Sequence, residues 1–568
     1  MTETALHTAP DEAPGGAARP RTGGTFVVEA LKAAGVRTVY GVPGGQTLAI
    51  LDAIYDDPEL TFVATRHEMA AAHAAEAHYR MTGTPGVCLV TTGPGATHAA
   101  SALGGALRDR IGMVFLTCNN RREYLGEEDA QAADHMAILR PLVKWSGQVA
   151  HERALLRTLR TALGKAAESP AGSVHVDLPR DILEATVDLD LADVRPPLVH
   201  GPLPPDPAAL ADAVERLRAA RRPVLWVGNG ITHAGAQQAV LRLAEQLGAP
   251  IITTFSGIGA VPADHPLVFG PRTRHGTRVS HAVLDQADVL LAIGMRLSSS
   301  STHRWTAALP SEVIHSDVDP DAIGRHYRPD VSVVGDALAV TTGLVEQLAD
   351  ADAGRTADWR VSLDQAREEW HADLAAVPME NAEGLLHPAA LMKIVAAVSP
   401  RDTVFSVDAG NPGIWSHLLP VYEPRSYMKP VNFGQMGFAL PAAIAAKRAR
   451  PDRPVVVLIG DGSLGMTVSE LETAVRERLA ITVVVLNDSA YNNIRQEQLA
   501  LLDGPRYIGV DFGNVDFATV ARGFGAHGQT ARGAADTEAA LRTALAREGP
   551  AVVDVKIDPM PNVWLKPF

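Results

Sequence analysis

Cysteine is almost missing from this sequence: of 568 residues only Cys88 and Cys118 carry a thiol, each beside an apolar run (87–90 and 113–117). Two thiols so placed read as buried, exclude a disulfide framework or a cysteine metal cluster, and fit a reducing compartment. Basic charge is also short, with 51 Lys and Arg against 65 Asp and Glu and a formal charge of −14. Such a surface repels a phosphate backbone, and no dense Lys/Arg block offsets it, so nucleic acid is not an expected partner. Long apolar runs are lacking too, none approaching the ~18–20 residues that span a bilayer. Residues 1–22 are rich in Ala, Pro, Gly and Thr and have neither the apolar centre nor the basic start of a signal peptide. They read as a flexible tail, and no membrane association and a cytoplasmic location are the expectations.

What is present is ordinary for a folded enzyme, 46% hydrophobic and 20% charged. At roughly 100–200 residues per domain, the length predicts about three domains. Short β-branched runs alternate with longer Ala/Leu/Glu/Arg segments: 38–42, 86–92, 113–117, 174–178, 223–227, 250–254, 289–293, 403–407, 454–459, 481–486 and 551–555. Buried strands alternating with helices make the fold class α/β, with doubly wound parallel sheets. Six prolines between Asp193 and Pro207 mark a linker. From about 349 to 386 the strand signal vanishes into charged, Ala-rich helical text, a second connection. The predicted units are therefore 23–190, 205–348 and 385–568.

The richest segment is 454–498. A strand runs into Gly460-Asp461-Gly462-Ser463, a helix is predicted over 466–480, and a second strand ends at Asn487-Asp488-Ser489-Ala490. Both Asp461 and Asp488 follow the carboxyl end of a strand, where parallel sheets bind ligands. Gly460, Gly462 and Ser463 let the backbone approach a phosphate at a helix N-terminus. Two carboxylates beside a diphosphate require a hard cation between them, and Mg2+ suits oxygen ligands plus phosphates.

Further motifs occur in order: Tyr40-Gly41-Val42-Pro43-Gly44-Gly45, Arg66-His67-Glu68, Thr92-Gly93-Pro94-Gly95-Ala96-Thr97, Asp408-Ala409-Gly410-Asn411 and Asn432-Phe433-Gly434-Gln435-Met436-Gly437. Together they resemble the thiamine diphosphate-dependent enzymes, in the acetolactate synthase-like branch, over about residues 24–555. The resemblance implies pyrimidine-binding, central and diphosphate-binding domains, with thiamine diphosphate as cofactor. It makes Asp461, Asp488 and the carbonyl of Ala490 metal ligands, although Asp488 stands where Asn is usual. Gly410, Asn411, Gly462 and Ser463 fall on the diphosphate contacts, while Pro412 replaces a family His. Gly434 would accept from the 4′-amino group and Met436 would wedge the two rings into a V. Glu68 would be the catalytic acid, its carboxyl hydrogen-bonded to N1′ of the aminopyrimidine so that N4′ can take the thiazolium C2 proton.

Departures from the branch bear on other ligands. Relatives that hold a flavin use an Arg-Phe-Asp-Asp-Arg run; this chain reads Arg296-Leu297-Ser298-Ser299-Ser300, which speaks against FAD. The aromatic residue of an Arg-Gln-Trp-Gln run is here Glu497, which predicts polar or cationic acceptors if it faces the pocket. Gln131 matches a family glutamine near the reacting carbonyl, and His98 follows the Gly93 turn. The expected reaction is decarboxylation of a 2-oxo acid, pyruvate foremost, and transfer of the two-carbon unit to a carbonyl acceptor. A non-ligating decarboxylase, a 2-hydroxy-acyl lyase and a catalytically silent subunit stay open. Glu68 and the metal loop lie on different units, which in the family come from different subunits, so a homodimer or homotetramer is expected.

Overall fold

The computed structural model describes residues 21–191 and 202–561; the first twenty residues of the proposed tail, most of the proline-rich linker and the last seven residues lie outside the described residues. Three six-stranded sheets follow one another along the chain, and every pairing is parallel. The first holds β1 (Thr38–Gly41), β2 (Thr61–Ala64), β3 (Gly86–Val90), β4 (Met113–Asn119), β5 (Trp145–Gln148) and β6 (Ser173–Pro179), in the order β2-β1-β3-β4-β6-β5. The second holds β7 (Pro223–Val227), β8 (Ile251–Thr253), β9 (Val268–Pro271), β10 (Val289–Ile293), β11 (Glu312–Asp317) and β12 (Val331–Val334), in the order β12-β11-β10-β7-β8-β9. The third holds β13 (Val404–Val407), β14 (Tyr427–Met428), β15 (Val455–Gly460), β16 (Thr482–Asn487), β17 (His527–Arg532) and β18 (Ala551–Lys556), in the order β14-β13-β15-β16-β18-β17. The first and third sheets thus share one topology, a relation invisible in their sequences.

All eleven expected strands form. Seven more appear (β2, β5, β9, β11, β12, β14 and β17), and six of these are the six sheet edges. An edge strand has a neighbour on one side only and need not carry a continuous apolar run: β5 has no buried residue and β17 only Ala531, whereas β3, β4, β7 and β10 are buried at every residue. The segment predicted as a helical connection contains the helix Ala357–Ala376. Among the described residues, no helix is long and apolar enough to cross a membrane.

The outer two sheets are joined through helices. Glu68–Thr82 packs on Ala439–Ala449, and Ala71, Ala74, Ala75, Ala442, Ala443 and Ala446 share one core with Phe438. Alanine lets two helices approach closely, and the interior then packs at crystal-like density. At the rim of this interface the buried Glu470 carboxylate accepts the Arg66 N–H at 3.0 Å, and its burial pushes it up to about 7.

Each sheet has a point where the strand order reverses: between β1 and β3, between β7 and β10, and between β13 and β15. Chain segments leaving neighbouring strands there diverge to opposite faces and open a crevice at the carboxyl ends.

Candidate active site

The crevice past β13, β15 and β16 is a cavity of about 220 Å³. Gly410, Asn411, Gly434, Met436, Asp461, Gly462, Ser463, Asp488 and Ala490, the residues expected to bind the cofactor or the metal apart from Glu68, line it together. Pro412, the residue in place of a family His, lines it too. The helix after β15 starts at Asp461 itself and ends at Thr467, with a second helix at Glu470–Arg476, and so differs from the single helix predicted over 466–480. Its first three residues therefore line the cavity, with the Gly462 N–H given to Asp461 Oδ1 at 2.9 Å. A side chain at Gly462 would meet the Tyr491 ring at 2.6 Å. Gly434 has φ of +73°, which favours glycine, and a Cβ there would face open space.

Asp408, not singled out from the sequence as a site residue, holds this geometry in place. Fully buried, it accepts the N–H groups of Ala409 (2.9 Å), Gly437 (3.1 Å) and Ala439 (2.8 Å), and so pins the Met436 loop to the end of β13. From the N-terminal unit, Asp109 does the same one turn earlier, accepting from Val431 N at 3.1 Å and Asn432 N at 3.0 Å.

The cavity's charges suit a cation. Burial pushes the Asp461 carboxyl up to about 6 against several backbone N–H groups. Burial and then the Asp461 charge push Asp488 up to about 8. Two desolvated, mutually repelling carboxylates are costly alone, and a divalent ion between them reverses the sign of that interaction. The buried Oδ1 of Asn411 has no hydrogen-bond partner, though buried polar groups normally have one. An unmatched side-chain amide oxygen, paired carboxylates and a glycine at the start of a helix fit a diphosphate bound through a hard cation.

Glu68, Gln131, His98 and Glu497 do not line this cavity. Glu68 opens the helix Glu68–Thr82, past β2, and accepts a hydrogen bond at Oε2 from His98 Nδ1 at 2.9 Å. His67, Glu68 and His98 bring one possible ligand atom each to within 4.8 Å of one another. Two imidazoles suit a transition metal rather than Mg2+, and the Glu68–His98 bond already satisfies the group. Gln131 is exposed, with φ of +59°, and its carbonyl accepts from Thr92 Oγ1 at 3.4 Å. Glu497 is half-buried, and its charge acts on Arg274 of the central unit. An arginine opposite that carboxylate removes the reason to expect a cationic acceptor.

A buried network beneath Gln131 also escaped the sequence. His135 accepts the Gly93 N–H at Nε2 (2.9 Å) and faces Asp177 through Nδ1 (2.8 Å), so its proton lies on Nδ1. Burial raises the Asp177 carboxyl, but bonds from His135, Asn119 and Gln148 outweigh it and bring it down to about 2. No spacing rule links residues 93, 135 and 177, so only their hydrogen bonds in the folded chain reveal the group.

The third crevice, at β7 and β10, is a cavity of about 320 Å³ lined by Gly228, Asn229, Gly294, Arg296, Ser298, Ser300 and Asp317, with Asp109 and Arg110 across from them. Burial pushes Asp317 up to about 6. The volume is at the low end of small-molecule sites, about 300–1,000 Å³.

Three doubly wound units, one with paired buried carboxylates beside a glycine-rich turn in its switch-point cavity, define a cofactor-dependent α/β enzyme. Residues 21–138, 210–344 and 408–555 match the N-terminal TPP binding, central and C-terminal TPP binding domains of thiamine pyrophosphate enzymes. The acetolactate synthase isozyme 2 large subunit of Escherichia coli is 34% identical, covering 95% of this chain and 96% of its own. An acetolactate synthase of Mycobacterium bovis is 33% identical (96% and 89%), and a probable acetolactate synthase large subunit of Methanocaldococcus jannaschii 31% (94% and 92%). The chain belongs to the thiamine pyrophosphate enzymes, in the acetolactate synthase-like branch, and its cofactor is thiamine diphosphate.

Proposed function

We propose that this enzyme decarboxylates a 2-oxo acid, pyruvate foremost, and transfers the two-carbon unit to a carbonyl acceptor. The observation that carries the reading is the convergence of nine residues from four separate motifs on one cavity at the β13/β15 switch point. Thiamine diphosphate supplies the electron sink for loss of CO2. In this reading Gly410, Asn411, Gly462 and Ser463 would hold its diphosphate, and Asp461, Asp488 and the Ala490 carbonyl would hold Mg2+, whose charge would offset that of the phosphates. Gly434 and Met436 orient the rings, and Glu68 holds and returns a proton at its carboxylate. Gln131 and Glu497 belong to the acceptor side. FAD is left out: the chain keeps Arg296 but lacks the two acidic residues and the second arginine of the flavin run, and the reaction needs no flavin.

Since Glu68 is absent from the cavity of its own chain, the site is completed by a second copy, as a homodimer or homotetramer. Ile494 (45% exposed) lines the cavity, and it and the exposed Phe433 (46%) and Met466 (45%) would be covered by that copy. Incubation with thiamine diphosphate, Mg2+ and pyruvate, with and without a panel of 2-oxo acids and aldehydes, tests the reading. CO2 with a hydroxy ketone supports it. CO2 with free aldehyde would make the chain a decarboxylase, and no turnover across the panel would mean a silent subunit.

A further inference from the structure

We infer that His98 is the relay through which Glu68 exchanges its proton with solvent; the inference rests on the reading of Glu68 given above. Among the described residues, His98 is the sole side chain hydrogen-bonded to the Glu68 carboxylate, at 2.9 Å from Nδ1 to Oε2. That bond leaves Oε1 for the aminopyrimidine. Within a single protomer the Glu68 side chain is 13% exposed and that of His98 49%, so the pair runs from a sheltered oxygen to a more open ring on the side from which the second copy approaches. Helix geometry sets the alignment: Glu68 begins one helix and His98 ends another, Pro94–His98, that springs from the Gly93 turn at the end of β3.

The ring of His98 is held in plane. It stacks on His67 with centroids 4.7 Å apart and 28° between planes. His67 is itself fixed, its Nδ1 accepting the Met69 N–H at 3.1 Å. The remaining ionisable neighbour is Cys88, buried behind Glu68, whose thiol burial pushes well above its usual range, so it takes no part. His67 is half-buried, and burial lowers it, followed by the nearby His98. It packs on the relay without a hydrogen bond to the carboxylate.

The transfer balances without any oxidant. With Glu68 protonated, Oε2–H gives its proton to Nδ1 while Nε2 releases its own to water; the ring changes tautomer and one proton has left the carboxyl group. The reverse sequence reloads it. His98 is a positioning and proton-exchange residue acting through Glu68.

Two measurements test this. In the cofactor-free full-length protein labelled with ¹⁵N-histidine, Glu68→Gln should shift the His98 Nδ1 and Nε2 resonances; unchanged resonances would mean that no such bond exists in solution and would overturn the relay. In the protein supplied with thiamine diphosphate and Mg2+, His98→Asn should slow hydrogen–deuterium exchange at the cofactor C2 by about 10²-fold, the lower range of general acid–base effects. Cofactor affinity should be unchanged, and the rate should rise in proportion to added imidazole. Unslowed exchange, slowed exchange that imidazole does not restore, or lost cofactor affinity would each overturn it. Failure of the unaltered chain to bind the cofactor would instead defeat the functional reading, and the relay with it.

Discussion

Replacing Asp488 with asparagine should stabilise the metal-free protein while weakening its response to metal and cofactor. Burial, then the charge of Asp461, raises the Asp488 carboxyl to about 8 in the folded chain. An unfolded aspartate titrates near 3.9. Between those values the folded state keeps a proton that the unfolded state has released, so this group's contribution to stability falls as pH rises from about 4 to about 8. It is level beyond that window, and below it the penalty is absent. At pH 7 the gap is about 3 pKa units, or roughly 4 kcal/mol. Because the two carboxyls titrate as a pair, a gain of about 2–4 kcal/mol is expected from removing one. At about 2–4 °C per kcal/mol for a unit of this size, the transition of the C-terminal unit should rise by roughly 4–16 °C. Calorimetry of chelator-treated protein at pH 5 and pH 8 reads it, with the gain shrinking by more than half at pH 5. Thiamine diphosphate and Mg2+ together should raise the transition of the unaltered protein more than that of the variant. A lower transition for metal-free Asp488→Asn at pH 8, or an equal gain at both pH values, would refute the electrostatic account.

Three further outcomes follow from the same geometry. Glu68→Gln should lower turnover by about 10²–10⁴-fold, with melting and cofactor affinity unchanged; full turnover in steady-state assays would remove the catalytic assignment. Gly462→Ala places a Cβ 2.6 Å from the Tyr491 ring, so it should cost about 1–3 kcal/mol by overpacking and weaken cofactor binding by isothermal titration calorimetry. Glu497→Trp removes the charge opposite Arg274 and should shift acceptor preference toward apolar 2-oxo acids; an unaltered product profile would put that side chain outside the pocket.

The sequence by itself determined the buried strands, the α/β class and the cofactor loops. Runs such as Val455–Gly460 and Thr482–Asn487 are covered on both faces and therefore read as unbroken apolar text, and the phosphate loops are local in the chain, with Gly462 and Ser463 beside Asp461. Edge strands such as β5 and β17 bury too little to leave that trace. Tertiary structure alone decided the strand orders, and with them where the three crevices open. It decided that the helix begins at Asp461, that Asp408 ties residues 437 and 439 to the end of β13, and that His135, held by Asp177 at Nδ1, accepts the Gly93 N–H at Nε2. It also separated Glu68 from the cavity that Asp461 and Asp488 share within one chain. The physical reason is range: apolar periodicity and turn chemistry act over a few residues, whereas strand order and hydrogen bonds between residues tens to hundreds of positions apart are set by how helices and sheets bury their faces against one another.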